Sequence, residues 1–407
     1  MMWTMLAGIL WVVSFITLPT SANGFWLPKQ MAWLMGSFVL ASSPWWNPPS
    51  QPTSRLPALG WLFCWVLCSF GWFVLWPQMT IPQAEVGVQR AVGMRWYVSP
   101  ILPTLTWMGS FLAIDALVRH TDALVRWHRV ALHLVHIGLI FSILVISHVL
   151  HLNPLTSIWT LASNSAWSWG PFGLLGNTTV MGNFLAPLVP LCLMFSAKRY
   201  RWGAWLVLLT ATACTMSITS TLAAFGSSLV VLGLQRRWKT MGVVLMSTLL
   251  LGVLTWSVVG TQPLLMWLTW YINPTGRWQM WQTALTFWAA TPLNAWIGYG
   301  AGSVGAATVN GVWDYGFLHN DYLEGLFQFG IIGATLALLA GWQALRLMRR
   351  FVWTGASTAW LGALLAYALL MMTSFVNEIG SCLMVGVISV AAVLSHCQPD
   401  GGSYAQG

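Results

Sequence analysis

Residues 179–260 read TVMGNFLAPLVPLCLMFSAKRYRWGAWLVLLTATACTMSITSTLAAFGSSLVVLGLQRRWKTMGVVLMSTLLLGVLTWSVVG. Four apolar runs, at 179–197, 203–219, 222–235 and 241–260, are parted by two short basic tracts and one neutral turn. Lys198, Arg199 and Arg201 form the first tract; Arg236, Arg237 and Lys239 form the second. A helix rises about 1.5 Å per residue, so about 20 apolar residues cross a hydrocarbon layer about 30 Å thick. A helix also satisfies its own backbone polar groups, which lipid cannot do. Runs of this length, with charge only between them, predict helices that cross a membrane and turn back.

The same pattern extends outward. Further candidate spans lie at 3–20, 30–45, 57–76, 99–118, 130–150, 322–345, 356–376 and 380–396. The expected fold is therefore all-α, a polytopic membrane protein of about twelve transmembrane helices. Residues 1–407 are expected to form a single transmembrane domain. The runs at 30–45 and 222–235 are short, which suits tilted or partly re-entrant segments. Composition agrees: 57% of residues are hydrophobic and 6% charged. A soluble domain carries about 25% charged residues, so this chain has too few to cover a water-facing surface.

Charge placement sets the expected orientation. Arg55, then Arg119, Arg126 and Arg129, then the two tracts above, then Arg346, Arg349 and Arg350 all fall on one side. Only Lys29, Arg90, Arg95 and Arg277 fall on the other. By the positive-inside rule the first side is cytoplasmic, and so are both termini. Outward loops then occupy 77–98, 151–178 and 261–321, the last being the largest and preceding the tenth helix. The net charge of +9 is dispersed between apolar runs rather than clustered, which argues against nucleic acid as a partner. Membrane lipids are the expected surroundings. The apolar stretch 1–19 has no preceding Lys or Arg and reads as a retained first helix. No GxxxxGK[ST] loop is present, so a reaction would draw on an activated substrate.

The loop 261–321 carries the polar chemistry. Residues 273–330 read NPTGRWQMWQTALTFWAATPLNAWIGYGAGSVGAATVNGVWDYGFLHNDYLEGLFQFG. Arg277 opens a Trp-rich stretch of helical character, a glycine-rich turn follows at 298–303, and His319-Asn320 stands just before a membrane helix. Arg277 offers a permanent cation whose planar fork suits phosphate oxygens. The glycines permit close backbone approach and can present N–H groups to an anion. His319, with an ordinary pKa near 6.5, can accept a proton from a hydroxyl at neutral pH. Plainer readings stand beside these: a headgroup anchor, a turn and a helix cap. Asp314, Asp321 and Glu324 either orient the imidazole or, as the simpler expectation, are solvated charges at a helix N-terminus. Trp278, Trp281, Trp288 and Trp313 suit interfacial anchoring or stacking on sugar rings.

Other constellations carry less. Cys64, Cys68, Cys192, Cys214, Cys382 and Cys397 include no CxxC, so no zinc site or disulfide framework is expected. His133 with His136, and His148 with His151, recur three residues apart, but no third ligand is near and packing is the expected role. Asp115 lies near the cytoplasmic edge of a span, within reach of pairing with Arg119.

The order of Gly276-Arg277, Trp281, Pro292-Leu293, Gly298, Gly300, Gly302-Ser303, His319-Asn320, Tyr322-Leu323 and Gly330-Ile-Ile-Gly333 resembles the O-antigen ligase and O-antigen polymerase family of membrane glycosyltransferases. Phe172-Gly173, Gly176-Asn177 and Gly182-Asn183-Phe184 match a further stretch of its pattern. The resemblance covers 165–345. It implies a C-type glycosyltransferase-like fold in a bacterial inner membrane, with 261–321 as the catalytic loop facing the periplasm. It implies a polyprenyl-pyrophosphate-linked glycan as donor and a lipid A–core, glycan or protein acceptor, with no metal and no cofactor. His319 and Arg277 would take the catalytic roles, and Arg277, Arg90 and Arg95 would hold the pyrophosphate. Asn320, Asp314, Tyr322, Gly300, Gly302 and Ser303 would support them. Two departures stand out. Ser220-Thr221 lies where the family has Ser-Arg, and Gln328-Phe329 where an acidic residue precedes G-x-x-G. From another class, a transporter or flippase of a lipid-linked or anionic solute would share the helices and outward arginines but would not need His319.

Overall fold

The computed structural model describes residues 123–149, 178–215, 217–259, 277–300, 318–349, 351, 353–373 and 380–397, with 109–110, 113–114, 117–118 and 303–304. Arg90, Arg95, Gly302, Asp314, Asp115, Cys64, Cys68, His151, Trp313 and the spans before residue 109 lie outside the described residues. Those described are helical, with no strand among them.

The first helix with both ends described is α1, Ala123–Val149. The run expected as one span at 179–197 is instead fractured into α2, Thr178–Leu185, α3, Leu188–Leu191, and a tight turn, Cys192–Met194. Pro187 and Pro190 explain the fracture, because each removes a backbone donor and crowds the preceding turn. The fractured segment lies at the centre of the bundle, with Phe184, Leu185, Leu188, Val189 and Leu191 fully buried.

Then come α4, Lys198–Cys214, α5, Ile218–Leu234, and α6, Trp238–Val259. All three begin before the apolar runs that announced them. Lys and Arg are good helix formers, so the backbone coils through the basic tract. Arg201 then turns back, donating from Nε to the Phe195 carbonyl at 2.6 Å and from Nη2 to that of Ser196 at 3.1 Å. Ser217 caps α5 by accepting from the Ser220 amide. At the other end of α5, Arg237 N donates to Leu232 O and Arg236 N to Gly233 O, both at 2.9 Å. That is a Schellman stop, with Arg236 at φ 55 in the left-handed place usually given to glycine.

The remaining helices are α7, Arg277–Ala289, α8, Pro292–Ile297, α9, Asp321–Met348, α10, Gly355–Met371, and α11, Gly380–Ser395. Helices α5 and α10 meet around α3, where Gly362 sits against the Val231 methyl and the Pro190 ring. Trp127 and Trp360 meet edge to face, ring centres 5.7 Å apart. Gly138 lets α1 close on Leu188 and Leu208, and the Tyr367 ring lies over Gly386.

Two ends emerge. Arg201 lies within electrostatic reach of Arg237, and Gln235 bonds to Gly355 and Thr358 across the same end. At the other end Ser220 bonds to Asn183, Cys382 to the Val180 carbonyl, and Arg277 to the Thr373 carbonyl.

Among the described residues, two segments are long and apolar enough to cross a membrane, Trp127–Ser147 and Asp321–Gln343. Shorter apolar helical stretches occupy Thr179–Met194, Ile218–Leu234, Trp238–Leu250, Gly355–Met371 and Cys382–Ser395. Val243, Met246, Leu249, Leu250, Leu338 and Leu339 all face outward, Leu338 with 74% of its surface exposed. An outward apolar face of this extent calls for an apolar environment or partner.

Two glycines test the packing. Gly362→Leu is expected to lower stability by about 1–3 kcal/mol through overpacking, read as the thermal unfolding midpoint in detergent. Gly226 has nothing within 4 Å of a built Cβ, so Gly226→Ala is expected to raise stability by up to about 1 kcal/mol.

Candidate active site around His319 and Arg277

The segment that carries the site is held by a contact between two backbones. Thr291 caps α8, whose first residue is Pro292, and α8 stops at Gly298 with φ 75 and ψ −173. Helix α9 is two helices meeting at a break, where Gly330 has φ 63 and ψ −168. That region of backbone space is essentially open to glycine alone. A Cβ at Gly298 would run into the Gln328 carbonyl, and one at Gly330 into the Gly298 nitrogen and the Trp296 carbonyl. The break frees carbonyls of α9, and the turn satisfies them: Tyr299 N donates to Phe327 O and Gly300 N to Gln328 O, both at 2.9 Å. The Tyr299 ring stacks on Phe327 at 4.7 Å, and its hydroxyl donates to the Phe287 carbonyl at 2.6 Å.

This corrects one expectation. The glycines do allow close approach, but the described amides of the turn do not serve an anion. Gly298 N is donated to Asn294 O, and the next two amides to α9. Gly300, at φ 93, also accepts from Ser303 N, and Ser303 is fully buried with its hydroxyl unpartnered.

Leu318, His319 and Asn320 precede α9. Trp281 Nε1 donates to the Leu318 carbonyl at 2.7 Å, which ties α7 to the segment. Sequence reasoning gave this indole an anchoring or stacking role; the structure makes it a strut. Its position one turn beyond Arg277 was the available signal. Asn320 caps α9, its Oδ1 accepting from Leu323 N at 3.0 Å. His319 between them has φ 52, a left-handed conformation uncommon outside glycine.

Asp321 and Glu324 were expected as solvated charges. They are buried, 8% and 6% exposed. Glu324 accepts from Gln328 Nε2 at 3.0 Å and from Leu318 N at 3.4 Å, so the acid braces the segment rather than facing water. The Asp321 charge reaches Tyr322 and Tyr367. Tyr322 donates to the Ala368 carbonyl at 3.1 Å, which links α9 to α10. Neither Tyr367 nor the Thr373 carbonyl was singled out from sequence; the second is a backbone group and leaves no signal there.

The Arg277 charge reaches His319. Arg277 Nη1 donates to the Thr373 carbonyl at 3.0 Å. Burial first, and the Arg277 charge second, push the His319 pKa down to about 3. The imidazole is therefore neutral near pH 7 and keeps a lone pair, with a permanent cation beside it. Burial and the cation make this imidazole a weak base, able to take a proton only as negative charge develops beside it, and the same cation stabilises that charge.

Elsewhere, Ser220 and Thr221 stand where the resembled family has its Ser-Arg pair. Ser220 donates to Asn183 Oδ1 at 2.9 Å and shares a hydrogen bond with Ser217 at 2.7 Å. The Thr221 hydroxyl turns back to the Ser217 carbonyl. The result is a neutral hydroxyl cluster. Among the described residues no group of three His, Cys, Asp or Glu side chains is placed to hold a metal. His136 meets the Tyr200 ring edge-on at 5.9 Å.

Two outcomes follow for this site. Gly298→Ala and Gly330→Ala are each expected to cost about 1–3 kcal/mol from backbone conformation alone, with the collision added, read as loss of thermal stability. The folded His319 pKa lies below its unfolded value of 6.5. The unfolded chain therefore takes the proton first as pH falls, and stability is lost from about pH 6.5 downward and unaffected above it. His319→Asn is expected to flatten the unfolding midpoint against pH in that acid window. No protein-family model matches the chain, and no curated protein sequence matches it.

Proposed function

We propose that this protein is a bacterial inner-membrane enzyme of about twelve helices that transfers a glycan from a polyprenyl-pyrophosphate carrier to an acceptor hydroxyl at the outer face. The observation that carries the reading is the pairing of a neutral His319 imidazole with the Arg277 guanidinium on one polar end. The outward apolar faces of α6 and α9 support a bilayer setting, and the concentration of Arg201, Arg236 and Arg237 at the far end supports a cytoplasmic placement of that end.

The chemistry runs in one displacement. His319 takes the proton of the acceptor hydroxyl. The acceptor oxygen forms a bond to the anomeric carbon from the face opposite the leaving group, inverting it. The bond between that carbon and the pyrophosphate oxygen breaks, and the electron pair leaves with polyprenyl pyrophosphate. Arg277 faces the charge that develops there; Thr373 takes one of the five N–H groups of its guanidinium. A positioned cation of this kind lowers the barrier only when it is stronger for the leaving group than for the bound donor.

The acceptor we propose is a lipid A–core, which makes the protein an O-antigen ligase; the neighbouring readings replace it with a growing glycan or a protein side chain. Purified His319→Ala and Arg277→Ala, each checked for folding, are expected to lose transfer by roughly 100- to 1,000-fold, or about 3–4 kcal/mol of barrier. Near-normal transfer by both would end the assignment. Mass spectrometry of surface glycoconjugates from a deletion strain identifies the acceptor: loss of long glycan on lipid, with carrier-linked polymer still made, marks a ligase. Movement of lipid-linked glycan across the bilayer without bond formation would favour a flippase.

A further inference from the structure

The basic end holds a cavity of about 650 Å³ between the last turn of α5 and the first turn of α10. Gln235, Arg236, Arg237, Trp353, Gly355 and Thr358 are among the residues that line it, and among the described residues no Asp or Glu lines it. Gln235 holds the two helices together. Its Nε2 donates to the Gly355 carbonyl at 3.2 Å and to Thr358 Oγ1 at 3.0 Å. Its Oε1 is enclosed and receives no hydrogen bond. Arg237 Nη1 is likewise enclosed and has no acceptor.

Unused bonding capacity of both kinds, a donor on Arg237 and an acceptor on Gln235, thus lies on two half-buried side chains of the lining. The charge environment narrows its chemistry. Arg237 reaches Arg201, and that like charge is one reason, after burial, why the Arg201 charged form is disfavoured. Such crowding of cations is relieved by an anion. Helix α10 adds the positive end of 17 aligned residues at Gly355. The Thr354 hydroxyl takes the Ser357 amide, and the Gly355 and Ala356 amides have no acceptor within the helix. The Schellman stop, with Arg236 in the left-handed conformation, directs the chain so that both arginines join the lining. Trp353 and Leu234 at the cavity are 58% and 39% exposed, which suits an apolar neighbour outside the polar floor.

We infer that this cavity binds a phosphate ester bearing free hydroxyls, the chemistry of a glycerophospholipid headgroup. The phosphate sits on Arg237 and the first turn of α10, and a hydroxyl donates to Gln235 Oε1. The site lies at the opposite end from His319 and does not depend on the transferase reading.

The test uses the full chain in nanodiscs of phosphatidylcholine, with and without phosphatidylglycerol, and separately in phosphatidylcholine with added glycerol 3-phosphate. Native mass spectrometry counts retained ligand and thermal unfolding reads stabilisation. A retained phosphatidylglycerol adduct and a raised midpoint are expected, with Arg237→Gln weakening binding about tenfold or more, as the loss of one charge-assisted hydrogen bond does. Arg236→Gln, an exposed position, serves the same purpose should Arg237→Gln fold poorly, with a smaller loss expected. Stabilisation by phosphatidylglycerol alone identifies a lipid source, and stabilisation by glycerol 3-phosphate alone identifies a soluble one; both support the site. No response to either ligand, or a phosphatidylglycerol adduct that both variants retain undiminished, would overturn it and leave a water-filled cavity.

Discussion

The crossing of two bare backbones at Gly298 and Gly330 is the constraint on which the polar end depends. Helix α9 must break for the Phe327 and Gln328 carbonyls to become available, and the break is tolerable only because Tyr299 and Gly300 supply amides to them. An open carbonyl pair at this depth would otherwise be costly. The contact docks the turn after α8 onto the middle of α9. Trp281 and Glu324 then fix Leu318 from two sides. His319 inherits its left-handed conformation from this bracing, since neither of its neighbours is free to relax it.

The same enclosure decides the electrostatics. Burying an acid or a base costs free energy unless partners replace water. Glu324 has two such partners on its own segment. His319 takes the other course and stays neutral, because burial and a nearby cation both penalise its proton. The polar end thus combines a fixed cation, buried carboxyl side chains and an uncharged imidazole within a few turns of helix. At the basic end the pattern reverses: cations gather around a cavity whose described lining holds no carboxylate.

Helix type and approximate position were legible from run length alone, because an apolar stretch of that length has few alternatives. Helix ends were less so. Charge makes the tract at Lys198 look like a loop, yet charge does not stop a helix, and Arg201 bonds to the Phe195 carbonyl. Pro187 and Pro190 carry the signal for the fracture of the 179–197 run, and its uniform hydrophobicity masks it. At the site, the Arg277 charge does reach His319. Glycine identity told that backbones approach but not what approaches them. Burial of Asp321 and Glu324 was not legible, since sequence reports a charge and not its enclosure. Tyr367 was one hydroxyl in an apolar helix, and nothing local distinguished it.

The lengths of the central helices carry a consequence for the surrounding lipid. Helices α4, α5 and α10 have 17 residues each and α11 has 16. At the helical rise these extend about 25 Å, short of a hydrocarbon layer of about 30 Å. In the bilayer setting proposed above, α1 and α9 exceed that thickness and the four short helices fall below it. Lipid meeting such uneven walls thins on one flank and thickens on the other. In that setting the hydrophobic mismatch would make the protein a source of bilayer strain.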